Sequence, residues 1–361
     1  MTLTSLLLVS LTLSAPILHA QEASSGLNLR TTLTEQFVAS SLLTQPPRKG
    51  NPATAGFRGV IYPTLKISDR WSVSSSLQLN TRPYFSDDFS TAGYGARGNV
   101  LQASLNYSRV SDKGSVLVRA GILSTAFGSF LLRYDDADNP LVDMPPQYGY
   151  YYRPVSFLGV AGAQADVTRG KWDARLQFAN SSPVNPRSLF ARDQYGNWAG
   201  GAGYTIRQGL RVGASAFRGP YLYRGYPYFF PGESNPSTLP ATGLGIDASW
   251  ERGHWSVQGE LQKFLMPYKR IPDFHETAGY AELKRVLGPR WYVATRGSFI
   301  LASATSDLYV IDAAAGFRPN RFQIVKMGYQ FERYPTAVYT SDQTFAVQLV
   351  TNFNIAAAVR Q

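Results

Sequence analysis

The chain of 361 residues contains no cysteine and only three histidines, His19, His254 and His275. The absence of thiols excludes a disulfide framework, a cysteine nucleophile and thiolate-bound metal. His254 and His275 have no nearby serine in a recognisable nucleophile context, so the histidines offer little for triad or zinc chemistry. The sequence therefore predicts no enzyme, no metal site and no other cofactor.

Charge and long apolar runs are also scarce. Charged residues make up 16% of the chain, against roughly 25% in ordinary soluble domains, while Tyr (22), Phe (20) and Gly (32) are plentiful. After Gln21 no stretch approaches the roughly 18 consecutive apolar residues of a membrane-spanning helix. If the chain lies in a membrane, it must form a closed β-barrel, because lipid offers the backbone no other hydrogen-bond partners.

Residues 1–20 carry no charged side chain and contain an apolar run from Leu6 to Val9 that continues to Leu13. This pattern predicts a secretory signal peptide cleaved after Ala20, which leaves residues 21–361 as a single domain. The net charge of +11 would suggest nucleic acid as a partner for a cytosolic protein. Export and the scatter of the basic residues over turns and strands argue against nucleic acid as a partner here.

Two-residue alternation of apolar and polar side chains organises the chain, most regularly from Trp71 to Arg82. Each such segment reads as a strand with one apolar and one polar face. Tight polar turns join these segments in pairs and predict hairpins. The turns are Ser68–Arg70, Ser111–Gly114, Thr168–Lys171, Arg207–Leu210, Glu251–His254, Leu287–Arg290 and Arg318–Arg321. Seven hairpins give fourteen strands, and the flanking segments Leu27–Val38 and Ser341–Asn354 bring the number to sixteen.

Long stretches rich in Pro, Gly, Tyr and Asp separate the hairpins, and the longest, about 124–158, comes third. Short turns at one end and long loops at the other are typical of an outer-membrane barrel with both termini in the periplasm. We therefore expect an all-β fold, a transmembrane antiparallel up-and-down β-barrel of sixteen strands, in the outer membrane of a Gram-negative-type cell.

Five of the six tryptophans lie beside the tight turns, four immediately after a turn and one immediately before. They are Trp71, Trp172, Trp250, Trp255 and Trp291. A shared position next to the turns places these side chains at one depth. This arrangement predicts an aromatic girdle at the periplasmic surface of the membrane, in contact with lipid.

The polar strand faces are expected to line the lumen, because the apolar faces must meet lipid. Strand phase points nine basic residues inward: Arg58, Lys66, Arg82, Arg119, Arg175, Arg211, Lys284, Arg296 and Lys326. Six acidic residues share that face: Asp166, Asp173, Asp247, Glu260, Glu282 and Asp312. An excess of basic side chains favours anions in a water-filled pore. The alternative is that these charges pair across neighbouring strands and only stiffen the wall.

Several short motifs resemble the phosphate-selective porin family over about residues 55–354. They are Ala120-Gly121-Ile122 followed by Phe127-Gly128, Leu287 to Tyr292 with Arg296 downstream, Gly316 to Arg321 with Lys326 downstream, and the closing segment from Phe345 to Phe353. The resemblance implies a sixteen-stranded, often trimeric outer-membrane porin with an anion-preferring pore. The implied partners are small hydrophilic solutes, anions among them, and further copies of the chain in a homotrimer.

Porins of this architecture commonly fold their third loop into the lumen, so the segment 124–158 is the candidate constriction. Its charged residues are Arg133, Asp135, Asp136, Asp138, Asp143 and Arg153. If the loop folds inward, its aspartates partly cancel the basic wall and narrow the pore. The aspartate cluster lacks the ligand spacing of a known calcium loop, so no metal is predicted there.

These patterns favour a passive diffusion channel for small hydrophilic solutes with a weak anion preference. A gated transporter for hydrophobic substrates is the alternative, with residues 21–54 as a plug; pairing of Leu27–Val38 with the final strand would exclude it. A structural barrel without a pore is the third reading. Small residues on or near the inward faces, namely Gly121, Gly162, Ser215, Gly316 and Gly328, indicate open space and argue against that third reading.

Overall fold

The computed structural model describes residues 26–41, 53–81, 96–133, 135–149, 155–156, 159–180, 196–220, 240–268, 272–303, 307–335 and 341–358. The predicted signal peptide lies outside these ranges, as do Arg82, Arg153 and the side chain of Arg133. No helix among these residues is long and apolar enough to cross a bilayer. The one helical element described is a single 3-10 turn, Phe130–Arg133.

Sixteen antiparallel strands form one closed barrel, which confirms the predicted fold class. The barrel strands are β1 (Gly26–Ser40), β2 (Ala53–Lys66), β3 (Trp71–Thr81), β4 (Ala96–Ser111), β5 (Gly114–Leu123), β8 (Val160–Arg169), β9 (Trp172–Ala179), β10 (Asn197–Arg207), β11 (Leu210–Pro220), β12 (Pro240–Arg252), β13 (Trp255–Met266), β14 (Phe274–Val286), β15 (Trp291–Ala302), β16 (Leu308–Asn320), β17 (Gln323–Arg333) and β18 (Ser341–Ala358). Two short strands, β6 (Tyr148–Gly149) and β7 (Val155–Ser156), pair with each other outside the barrel sheet.

The barrel closes between the first and last strands, from Gly26 opposite Ala358 to Ser40 opposite Thr344. This pairing excludes a plug that contains residues 26–40, because these residues form a strand of the barrel wall. Closure leaves no unpaired strand edge facing lipid, where unsatisfied backbone groups would cost several kcal/mol each. Of the other residues assigned to the plug, 53 and 54 belong to β2, whereas 21–25 and 42–52 lie outside the described residues.

Each barrel strand pairs with its neighbours in sequence, with β5 joined to β8 across the long third loop. The predicted tight turns connect the strands at one end of the barrel. Gly170 and Gly253 adopt φ values of 58° and 59° in two of these turns. Glycine enters this left-handed region without the steric cost that a Cβ imposes.

The two faces of the barrel differ as the alternation predicts. Outward apolar residues at mid-strand are solvent-exposed, among them Leu176 (57%) and Ile311 (60%). Polar inward residues such as Gln36 and Gln78 are buried. An exposed apolar belt around a closed sheet is stable only when lipid covers it, which fits a membrane-embedded barrel.

Candidate functional site

The third loop, residues 124–149, contacts the inner faces of strands all around the barrel, and we call it the inner loop. At β1, Thr32 Oγ1 and Arg30 Nη2 each donate a hydrogen bond to Asp135 Oδ2 at 3.0 Å. Thr34 Oγ1 donates to Asp136 Oδ2 at 2.8 Å. The acidic tip of the inner loop therefore rests against the first strand.

The second strand completes the binding of these two aspartates. Arg58 Nη1 lies 3.3 Å from Asp136 Oδ1, and the Tyr62 hydroxyl donates to Asp135. Asp135 and Asp136 are buried as a result, and so is Arg58. The structure thus places two of the predicted constriction carboxylates in contact with the wall, whereas Asp138 stays exposed.

Lys326 on β17 is fully buried. Its side chain binds the backbone of the inner loop. Its Nζ donates to the carbonyl oxygens of Asp136 (2.6 Å), Asn139 (2.8 Å) and Leu141 (3.2 Å). An ammonium group has three donors and no acceptor, so three carbonyls satisfy it completely. Lys326 faces inward as its strand phase predicts, but it lies beneath the loop and does not reach pore water.

Arg296 on β15 also faces inward beneath the inner loop, and it is fully buried. It forms ion pairs with Asp312 (2.9 Å) and Glu282 (3.6 Å) and donates to the carbonyl of Asp143 at 2.9 Å. Sequence phase identified these residues as inward-facing. It carried no information about the loop that covers them.

An apolar cluster anchors the other side of the inner loop to the wall. The ring of Phe127 packs edge-on against Phe217 and Phe264, with centroids 5.0 and 5.7 Å away. Phe130 packs against Tyr148 of the same loop at 5.2 Å. Buried aromatic pairs of this kind add roughly 0.5–1.5 kcal/mol each beyond their burial.

A polar network lies beside this apolar cluster. The Tyr148 hydroxyl donates to Glu260 Oε2 at 2.7 Å, and the backbone amide of Ser129 donates to Glu260 Oε1 at 2.9 Å. Burial, with the adjacent Glu260 carboxylate as the next cause, raises the pKa of the Tyr148 phenol well above its ordinary value, so the phenol remains a donor. Glu260 is therefore occupied by the loop.

The small inward residues make room for other side chains. A Cβ added at Gly316 would clash with the ring of Tyr292, and one at Gly328 would lie 2.7 Å from Val142 of the inner loop. Ser215 Oγ accepts a hydrogen bond from the amide of Gly128 at 3.2 Å. At these three positions, small residues allow the loop and Tyr292 to pack, which corrects their interpretation as lining for open space.

The remaining predicted lumenal cations mostly have acidic partners. Arg119 Nη2 lies 2.8 Å from Asp166 on β8. Arg211 joins β9 and β12 through Asp173 and Asp247, each at 2.6 Å. These pairs match the cross-strand alternative drawn from the sequence.

Three further members of the predicted lumenal set lie among the described residues, and Arg82 lies outside them. Arg175 donates to the carbonyl of Gly128 in the inner loop. Lys284 Nζ lies 5.0 Å above the ring of Tyr292. Lys66 pairs with Asp69 at 2.8 Å in an exposed turn, and the Lys66 hydrogen bond lowers the pKa of Asp69. Lys66 thus lies at the mouth of the barrel.

Solvent reaches the inner wall mainly at the end of the barrel that carries the short turns. We call this region the vestibule. Its accessible basic residues are Arg30, Arg119, Arg175, Arg211, Lys284 and Arg318. Toward the other end, inward residues such as Val38, Gln177 and Val310 are buried. Arg30 and Arg318 were missed in the sequence analysis, although continuing the alternation of β1 and β16 to the strand ends would have placed both on the inner face.

The predicted girdle tryptophans occupy the strand ends beside the short turns. Trp71, Trp172, Trp255 and Trp291 begin β3, β9, β13 and β15 and are exposed, and Trp250 lies near the end of β12. The sixth tryptophan, Trp198, is exposed near the start of β10, at the end of the barrel away from the short turns. That these five side chains lie at one depth at the periplasmic surface of the membrane remains a prediction.

Within the described residues, His, Asp and Glu side chains do not form a group of three that could hold a metal ion. Asp135 and Asp136 point their carboxylates at wall donors, as set out above.

Comparison with solved structures places the fold among outer-membrane porins. A Salmonella typhi OmpF in complex with daunomycin matches with a TM-score of 0.61 and 11% identity over 93% of this chain and 100% of that one. An anion-selective porin from Comamonas acidovorans matches at 0.60 and 12% over 92% and 100%. The trimer form of Vibrio cholerae OmpT, an outer membrane protein, matches at 0.58 and 10% over 91% and 99%.

No family model matches the chain, and no curated protein sequence matches it. The likeness to solved structures and the closed barrel show the sixteen-stranded fold of outer-membrane porins. Its resemblance to the phosphate-selective porins in particular stays a hypothesis.

Proposed function

We propose that this protein is an outer-membrane diffusion channel for small hydrophilic solutes and that it catalyses no reaction. The observation that carries the proposal is a closed barrel with an apolar outer face and a polar vestibule inside. Water and solutes need such a polar lining, because hydrated molecules do not enter an apolar passage.

The inner loop is the proposed constriction of this channel. Its tip is fixed to β1 and β2 through Asp135 and Asp136, and its middle is fixed to β17 through Lys326. Phe127 packs against Phe217 on β11 and Phe264 on β13, on the opposite side of the barrel, so contacts on both sides hold the loop across the lumen. Ion flow is limited by the narrowest water-filled section, so this segment sets the conductance.

We propose that the channel weakly prefers anions over cations. The six accessible basic residues of the vestibule compare with five accessible acidic residues on the inner wall and inner loop. The acidic residues are Asp138, Asp143, Asp166, Asp173 and Asp247. A difference of one among the described side chains supports only a small selectivity.

We also propose a homotrimer. Glu35 points outward from β1, exposed, with the apolar residues Leu33 and Phe37 on either side along the same face. A carboxylate facing lipid is costly, so a neighbouring copy is the better cover for this part of the wall.

A second candidate is a structural barrel without an open pore. Two apolar clusters inside the barrel favour it: one is built around Phe127 and Phe264, the other around Leu141 and Tyr292. They fill part of the lumen that a wide pore would leave to water.

Conductance across a planar bilayer separates the two candidates. We expect stable open steps in groups of three, as a trimer of channels produces, with a reversal potential of anionic sign in an asymmetric salt gradient. A pure, folded protein that inserts and never conducts would contradict the channel and favour the structural barrel.

Removing vestibule cations should shift the selectivity. In Arg119→Gln with Lys284→Gln, two positive charges disappear and Asp166 loses its ionic partner, so the reversal potential should move toward cations. The shift should shrink from about 0.1 M to 1 M salt, where the Debye length falls from roughly 10 to 3 Å. Lys171→Gln in an exposed turn is the control and should leave the reversal potential unchanged. A double variant with the wild-type potential would exclude these side chains from the ion path.

A further inference from the structure

A recess of about 450 Å³ lies on the outside of the barrel, at the end with the short turns. It is formed by the hairpin between β12 and β13 and by the end of β14. Its principal lining residues are Trp250, Arg252, His254, Trp255, Arg285 and Leu287. It thus combines two indole rings, two guanidinium groups and an imidazole at the predicted level of the girdle.

The recess carries two positive charges that the described residues do not pair. Among the described residues, Arg252 and Arg285 form no ion pair, and Arg285 stacks over the Trp255 ring with its Cζ 4.7 Å from the centroid. Glu251, the acidic residue of the same hairpin, does not line the recess. A concave, cationic site is therefore open toward the membrane surface.

Comparison with the other girdle positions shows that this one is different. Trp71, Trp172 and Trp291 each pair across to an aromatic residue of the next strand, namely Tyr107, Tyr204 and Phe317. Their ring centroids lie 4.5–5.1 Å apart. Trp255 has Arg285 in the corresponding register. An aromatic ring at this position would pack against the tryptophan equally well. The arginine adds a positive charge, which favours an anionic ligand.

The outward residues above the recess are apolar. Val257 on β13 and Leu283 on β14 follow Trp255 and Arg285 on the same face, and both are exposed. A ligand in the recess would therefore have its charged group beside the arginines and an apolar portion along the barrel wall. Amphipathic aromatic and basic side chains at a membrane interface favour this arrangement.

We propose that this recess binds the phosphate-bearing headgroup of an anionic phospholipid in the periplasmic leaflet. Arg252 and Arg285 contact the phosphodiester, and the acyl chains lie along Val257 and Leu283. The proposal rests on the placement in an outer membrane that the proposed function includes. It does not require the barrel to conduct.

Native mass spectrometry of the delipidated full-length protein tests it. We expect phosphatidylglycerol to bind more tightly than phosphatidylcholine with the same acyl chains. Arg252→Gln and Arg285→Tyr should each weaken phosphatidylglycerol binding about fivefold, the effect of one cation at an anionic membrane surface. Arg285→Tyr copies the aromatic partner of the other girdle pairs, so it should preserve folding. Lys171→Gln, a turn cation whose Nζ lies 6.0 Å from the Tyr204 ring, is the matched control and should bind like the wild type.

Three outcomes would overturn the proposal: equal binding of the two lipids by the wild type, unchanged phosphatidylglycerol binding in a folded variant, or displacement of the lipid by millimolar inorganic phosphate, which would indicate a site for the free anion. If one variant fails to fold, as judged by heat-modifiable gel mobility, the other decides. Conductance is not the readout, so a lipid-binding barrel that never opens would refute the channel and leave the recess standing.

Discussion

Deleting residues 135–144 from the inner loop is expected to raise the single-channel conductance about twofold or more, since ion flow follows the narrowest water-filled section. The deletion removes the tip that β1 and β2 bind through Asp135 and Asp136. It also removes the carbonyls that cover Lys326 and Arg296. Planar-bilayer recording at fixed salt gives the conductance directly.

The same deletion should also move the reversal potential toward anions. It takes away the aspartates at 135, 136, 138 and 143 and exposes Arg58, Arg296 and Lys326 to lumenal water. Asp138→Asn is the control, because it changes the charge of an exposed loop residue without shortening the loop; its conductance should stay near the wild-type value. A deletion protein that folds and conducts like the wild type would place the inner loop outside the limiting section.

The barrel was predictable from the sequence because its determinants are local. Period-two alternation specifies which face of each strand meets lipid, and a turn such as Glu251–His254 specifies where the chain reverses. Both signals lie within about ten residues, so the count of sixteen strands followed from them. They did not decide whether the first strand pairs with the last or belongs to a plug, because that contact joins the two ends of the chain.

The role of each inward cation was not predictable, because it depends on contacts between distant parts of the chain. Lys326 and the Asp136 carbonyl are 190 positions apart, and Arg296 and the Asp143 carbonyl are 153 apart. Alternation shows that both side chains point into the barrel. It does not show whether water or a loop lies opposite them.

The glycines at 316 and 328 illustrate the same limit. A small residue on an inward face fits open space and fits a close neighbour equally well. The structure puts Tyr292 over the first and Val142 over the second. For Gly316 the neighbour is a side chain of the adjacent wall strand β15. For Gly328 it is the inner loop, whose position depends on packing across the lumen.

Replacing Lys326 with Met should detach the middle of the inner loop and leave the barrel folded. The side chains are similar in length, but the variant has no donor for the carbonyls of Asp136, Asn139 and Leu141. A buried acceptor without a partner costs about 1–3 kcal/mol. The loop can avoid that cost by moving into lumenal water, whereas the barrel keeps every hydrogen bond of its closed sheet. We therefore expect higher conductance with fluctuating open levels and faster proteolysis within residues 124–149.

Thermal unfolding of the barrel, followed by heat-modifiable gel mobility, should remain close to the wild type in this variant, because the ladder between β17 and its neighbours does not involve the lysine Nζ. Lys171→Met is the control: its Nζ also donates to a carbonyl, that of Ile206 at 3.1 Å, but on the exposed surface. Water replaces that donor at once, so conductance and proteolysis should not change. If Lys326→Met folds with wild-type conductance and an equally protected loop, the contacts of Asp135 and Asp136 with β1 and β2, together with the aromatic packing of Phe127, suffice to hold the inner loop, and Lys326 merely fills the space beneath it.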